Sequence, residues 1–115
     1  MPSLSATGLL FLLLAACDPV SRGSLDGAEL FNGTCAHCHG QDGTGVPEQV
    51  ARLGVPNMTD AKWQAAHTDD DIRRTVHKGS KSKKMPAFGA AFSEAQLGAV
   101  IVHVRWLARS PQALR

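Results

Sequence analysis

The sequence predicts an all-α fold of three to four short helices wrapped around one central group, within a domain spanning residues 25–110. Three observations carry this expectation. Apolar residues recur at helical spacing in three stretches that begin on capping residues, and no segment alternates as a strand would. The chain has no tyrosine, four phenylalanines and two tryptophans, little to build a core from. A domain of fewer than a hundred residues gains marginal stability from apolar burial alone and commonly leans on a covalent or metal staple.

The elements follow in chain order. A first helix is expected from about Asp26, its N-cap, to Thr34, with Leu30 on its apolar side. It runs straight into Cys35. Residues 40–58 are rich in Gly, Pro and polar side chains and read as loop. A short helix is expected over Asp60–Ala66. Another covers about Asp69 to Lys78: Thr68 and Asp71 approximate a capping box, Ile72 and Val76 share a face, and Gly79 is a natural stop. The last and strongest spans about Glu94 to Ala108. Ser93 and Gln96 form its capping box, and Leu97, Val100, Ile101, Val104 and Leu107 make its buried stripe. Arg105 and Arg109 suit the negative end of its dipole, and Pro111 follows.

The chemistry concentrates in Cys35-Ala36-His37-Cys38-His39. Two thiols two residues apart with a histidine directly after the second is the attachment pattern of a c-type haem. The spacing has a physical purpose. Two cysteines can form thioethers to the two vinyl groups of one porphyrin, and His39 then turns its imidazole onto the iron. The same residues admit two other uses, a redox dithiol or half of a zinc site. The dithiol wants a βαβ setting, and zinc wants two further ligands at short spacing. No βαβ pattern surrounds the motif; His37 or His39 could serve zinc sterically, but the only other cysteine is Cys17, so one covalent haem c is the expected cofactor.

The ends of the chain read differently. Leu9 to Ala16 is an apolar run too short to span a bilayer, followed by Leu14-Ala15-Ala16-Cys17. This is expected to be an export signal over residues 1–16, and a buried N-terminal helix with a chance cysteine is the alternative. The motif resembles a bacterial lipobox, which implies a lipid-modified Cys17 and departs from that pattern in having no Lys or Arg before the apolar run. Residues 17–24, with Pro19 and Gly23, form a tether, and residues 111–115 a tail. The eight steps from Cys17 to Leu25 reach about 26–29 Å at most. All three cysteines are then used: two for haem, one for lipid.

The span from Leu25 to Ala108 resembles the class I cytochromes c. Gly27 and Phe31 stand where that family places the small and aromatic residues of its first helix. His103 replaces the Tyr or Trp that commonly meets that aromatic, a departure that implies a looser, pH-sensitive crossing. Met85-Pro86-Ala87-Phe88 looks like the family's distal loop, which implies a Met85 thioether on the iron, with His39 and Met85 as the metal ligands. A core role for Met85, ligation by Met58, or a second histidine from His67, His77 or His103 are the alternatives. Pro56-Asn57-Met58 resembles the stretch whose proline carbonyl accepts the Nδ1–H of the proximal histidine, which gives Pro56 that role. Trp63 either directs its indole N–H at a haem propionate or fills the wall beside the ring.

The expected function is that of a one-electron carrier rather than an enzyme, exported and lipid-anchored to a bacterial membrane. The alternative is a haem enzyme or gas sensor with a labile sixth ligand. Its partners are expected to be electron donor and acceptor proteins. Lys78, Lys81, Lys83 and Lys84 precede Met85 and either form a positive rim that steers acidic-surfaced membrane complexes or a plain solvated loop. A net charge of only +2 argues against a nucleic-acid partner.

Overall fold

A computed structural model describes residues 23–110. The expected signal at 1–16, Cys17, most of the tether and the tail at 111–115 lie outside the described residues. Among the described residues six helices follow in order: α1 (Gly27–Thr34), α2 (Ala36–His39), α3 (Pro47–Leu53), α4 (Ala61–Ala66), α5 (Asp69–Lys78) and α6 (Glu94–Leu107). The described residues contain no strand, as expected.

Six helices exceed the three to four expected. One addition, α2, is a single turn that carries α1 onward through the motif. The other, α3, corrects the reading of residues 40–58 as loop. Pro47 stands at its start, Glu48 in its first turn and Arg52 in its last, and Gly54 closes it at φ 67°. Proline at the entry and left-handed glycine at the exit are the usual marks of a helix. The surrounding Gly and Pro residues obscured them.

The capping chemistry that the sequence suggested is present. Asp26 accepts from the amides of Ala28 (3.0 Å) and Glu29 (3.2 Å). Thr68 and Asp71 close a reciprocal box on α5, with bonds of 2.9 and 3.1 Å. Ser93 and Gln96 do the same for α6 at 3.0 and 3.1 Å. Each box satisfies two amides that helical bonding leaves free, so short helices begin at defined residues.

The core is assembled from one face of each long helix. Leu30 and Phe31 of α1, Ile72 and Val76 of α5, and the five-residue stripe of α6 are buried together with Met58. A fully buried side chain of this kind contributes roughly 1.5–3 kcal/mol. The crossing of α1 with α6 is the tightest point. A Cβ on Gly27 would lie 2.1 Å from the Ala99 carbonyl oxygen, so the two backbones touch and only glycine fits. One turn on, the Phe31 ring meets His103 at 5.1 Å between centroids, the pairing expected from the sequence. The other side of the His103 ring stacks on Trp106 at 5.5 Å.

His103 Nε2 is buried there without a hydrogen-bond partner. Burial lowers the histidine's pKa below its ordinary value, and Asp26, the charged group facing it from the start of α1, opposes that shift only in part. A depressed folded-state value means that the unfolded chain takes up the proton first. The stabilisation is therefore full above about pH 6.5, the unperturbed value, and is lost as pH falls toward the lowered one. Urea midpoints measured from pH 7.5 to 5 should fall with pH, and His103→Phe should flatten that part of the curve.

Candidate functional site

The motif folds as a turn of helix. Cys35 N–H donates to Phe31 O (2.7 Å), and the amides of Cys38 and His39 both donate to Cys35 O (3.2 and 3.0 Å). Helical winding puts residues three and four apart on one side. Cys35, Cys38 and His39 thus share a face, which is the reason for the spacing. All three line one cavity of ≈ 620 Å³. The chain then folds back beneath the turn: Gly45 N–H donates to His39 O (2.8 Å) and Val46 N–H to Cys38 O (2.9 Å).

A second element brings Met85 to the same cavity. Ser80 N–H donates to Met85 O and Met85 N–H to Ser80 Oγ, both at 3.0 Å. Phe88 N–H then returns to Val76 O at 2.8 Å, so the loop is stitched to the end of α5. Gly79 turns at φ 82°, and a Cβ there would come within 2.8 Å of Met85 O. Lys83 also takes a left-handed φ of 63° in this tight loop. The lining beyond these groups is largely apolar, with Phe31, Ile72, Val76, Val100 and Val104 among it.

The site electrostatics favour neutral ligands. Burial pushes the Cys35 thiol up to about 11. A redox dithiol needs the opposite, a depressed thiol pKa. Cys35 and Cys38 are free thiols rather than a disulfide. Among the described residues, no three or more His, Cys, Asp and Glu side chains gather as a metal site, so the four-ligand set of structural zinc is not assembled. Burial lowers the pKa of His39, favouring the neutral imidazole that ligates iron.

His39 Nδ1 is buried and has no hydrogen-bond partner. The bond expected from Nδ1–H to the Pro56 carbonyl is therefore not made here, although Pro56 lines the same cavity. Two thiols, an orphaned imidazole and a thioether around an apolar cavity suit a haem, whose body is apolar and whose iron takes nitrogen and sulfur.

Comparison with known proteins agrees with that chemistry. The family described as cytochrome c oxidase, cbb3-type, subunit III matches residues 24–104. The chain belongs to this family of c-type cytochromes. It is a monohaem class I cytochrome c that binds haem c covalently and carries electrons. The cytochrome is 33% identical to the cbb3-type cytochrome c oxidase subunit CcoP of Cereibacter sphaeroides over 93% of its own length and 39% of that protein. It is 37% identical to the subunit FixP of Azorhizobium caulinodans over 70% of its length and 26% of the relative. It thus spans well under half of these curated relatives. Among solved structures, the KustC0563 c-type cytochrome superposes with a TM-score of 0.66 at 29% identity, covering 71% of this chain and 96% of that one.

Three side chains that the sequence offered as candidates or alternatives stand in the cavity wall of the cytochrome. His67, an alternative ligand in the sequence, lines the cavity and stacks on Trp63 at 4.6 Å. Its Nδ1 donates to Trp63 O at 2.8 Å. Trp63 itself stands in the wall, and so does Met58. His77 and His103 do not line the cavity; His103 belongs to the helix crossing. Lys81 and Lys84 lie at its edge, while Lys78 and Lys83 are exposed elsewhere.

Arg105 lies in the last turn of α6, as expected, and has a further role that the sequence did not show. Its guanidinium reaches the end of α4. It donates to Gln64 O (3.0 Å), Gln64 Oε1 (2.7 Å), His67 O (2.6 Å) and Asp69 Oδ1 (2.9 Å). Gln64 in turn donates to Met58 O (2.6 Å) and Val104 O (3.1 Å). One planar fork satisfies the carbonyls that end α4 and fixes the Trp63–His67 wall to α6. Gln64 and Arg105 lie far apart in sequence, so no local pattern announces the pair. Arg105→Met should lose about 2–4 kcal/mol in urea unfolding, because partly buried carbonyls lose charge-assisted donors. A loss below 1 kcal/mol would demote the network to surface decoration.

Proposed function

We propose that this cytochrome is a lipid-anchored one-electron carrier on the extracytoplasmic side of a bacterial membrane, passing electrons between a donor protein and an oxidase-type membrane complex. The observation that supports this most is the gathering of Cys35, Cys38, His39 and Met85 around one apolar cavity. Bound haem supplies a one-electron iron couple, and a Met/His pair sets its potential above that of two histidines. Each residue then has a task. Cys35 and Cys38 would hold the group by thioethers, and His39 and Met85 would supply nitrogen and sulfur to its iron, leaving no open place for a substrate. With the haem bound, the Pro56 carbonyl would accept from His39 Nδ1–H, which would fix the ring's orientation and raise its basicity. The apolar lining keeps water out and limits reorganisation as charge changes.

Cys17, acylated, would hold the domain within about 26–29 Å of the bilayer and raise its effective concentration toward partners in the same membrane. The relatives named as cbb3-type oxidase subunits support an oxidase-type partner. Lys81 and Lys84 at the cavity edge, with Lys78 and Lys83 nearby in the chain, supply the positive rim that would guide an acidic surface to the haem.

Met85→Ala should let the reduced protein bind carbon monoxide and lower the midpoint potential by on the order of 0.1 V, a fraction of the range axial ligands span. Met58→Leu should leave both unchanged. If Met58→Leu opens the iron and Met85→Ala does not, the ligand assignment is reversed; if the unaltered protein binds carbon monoxide readily, the closed-carrier reading fails. Replacing Lys83 and Lys84 together by Glu should slow electron transfer to an acidic partner about tenfold at low salt, an effect erased near 1 M, where screening acts within about 3 Å. Stopped-flow rates insensitive to the change would remove the steering role.

A further inference from the structure

The face of α6 turned away from the haem cavity carries an unusual set of side chains. Val102 is 70% exposed and Trp106 52% exposed, and they lie one turn apart. Arg109 follows, its amide bonded to Trp106 O at 2.8 Å, so the tightened last turn keeps it on the same side. With about 100° of rotation per residue, Val102 and Trp106 sit across the helix from Val100 and Val104, which line the cavity. Among the described residues, neither the Trp106 indole N–H nor the Arg109 guanidinium has a hydrogen-bond or ion-pair partner.

The chain enters the domain beside this face. Gln96 Nε2 donates to Ser24 O at 3.2 Å, and Gly27 lies against Ala99 and His103. Leu25, between those two anchor points, is 65% exposed. The nearby acids are already engaged: Asp26 caps α1, and Glu29 accepts from Ser24 Oγ at 3.1 Å. Cys17 is seven residues before Ser24, which is bonded to Gln96 near the start of α6, so a tether of at most about 25 Å joins the domain at one end of this helix.

We propose that Leu25, Val102, Trp106 and Arg109 form a contact face for the phospholipid headgroup layer, which orients the anchored cytochrome with its haem cavity turned away from the bilayer. The chemistry matches the occupant. An amphipathic indole sits at the boundary of acyl chains and headgroups with its N–H wet, and a free guanidinium takes a headgroup phosphate bidentately. Val102 and Leu25 add exposed apolar surface. The three-residue stripe is too small to hold the protein on a membrane alone, so its role is orientation once the tether has made contact local. Among the described residues no helix is long and apolar enough to cross the membrane, so contact at the surface is what this face can make. The proposal rests on the lipid-anchor reading of Cys17.

The test keeps the two readings apart. Haem-loaded protein beginning at Cys17 is coupled through that thiol to maleimide-bearing vesicles of phosphatidylethanolamine and phosphatidylglycerol, and hydroxyl-radical labelling is read by mass spectrometry. Labelling of Trp106 and Val102 should fall at least threefold on the vesicles, with Pro86 and the Lys81–Lys84 segment as reactive as in solution. Trp106→Ser combined with Arg109→Glu, both exposed positions, should restore labelling at Val102. Equal labelling of Trp106 with and without vesicles overturns the proposal. So does protection of the Pro86 side, or protection that requires vesicles containing membrane proteins. The mass of the protein purified from its own membranes reports separately whether Cys17 carries acyl chains, so loss of the anchor reading leaves a recognisable signature of its own.

Discussion

The close approach of α1 to α6 at Gly27 is the constraint on which the rest of the molecule depends. Because the Gly27 Cα sits against the Ala99 carbonyl, α1 has one angle and one depth at which it can cross. Cys35 continues α1 through its bond to Phe31 O, and the motif continues Cys35. The rotation of α1 about its own axis therefore sets where two thiols and an imidazole face. The covalent chemistry of the site is decided by a contact more than a full helical turn away from it. Phe31 transmits that setting: it packs on His103 at the crossing and also lines the cavity.

The second half of the site is positioned by different physics. Met85 sits on a loop, where no helix fixes its direction, and backbone bonds to α5 take over that task. Gly79 and the left-handed Lys83 let the chain double back tightly enough for those bonds to close. The wall containing Trp63 and His67 is fixed in a third way, by a buried-end arginine fork from α6. Three elements thus surround one cavity, each held differently: by a close backbone contact, by loop hydrogen bonds and by an arginine fork. That division also explains the composition: few aromatics are needed when polar caps and forks do the positioning and a prosthetic group fills the centre.

Much of this was legible in the sequence, and the parts that were not share a cause. Capped, periodic helices such as α5 and α6 declare themselves because the cap, the stripe and the stop lie within one short window. The motif declares itself for the same reason. Gly27 and Phe31 were legible through family resemblance, and the structure supplies the physical ground, a backbone contact and a ring pair. What escaped depends on partners distant in the chain. Arg105 looked like a dipole residue because only its own helix was in view; its acceptors lie some forty positions earlier. His67 was legible only as an alternative ligand, because the arginine that holds its carbonyl is equally distant in the chain. The α3 helix escaped because its short span is flanked by the residues that usually signal loop. Pro56 illustrates a finer limit: its place beside the cavity was legible, while the hydrogen bond expected of its carbonyl is not formed.

The bond between Gln96 and the Ser24 carbonyl has a mechanical consequence. Gln96 is held at its other end by the Ser93 box, and it begins the best-buried helix of the domain. Ser24 Oγ meanwhile donates to Glu29 and accepts from the Asp26 amide, so the entering segment is pinned to α1 and α6 together. A pull arriving along it is shared by both helices near their crossing. The haem-binding motif lies a helix length beyond that junction, at the far end of α1.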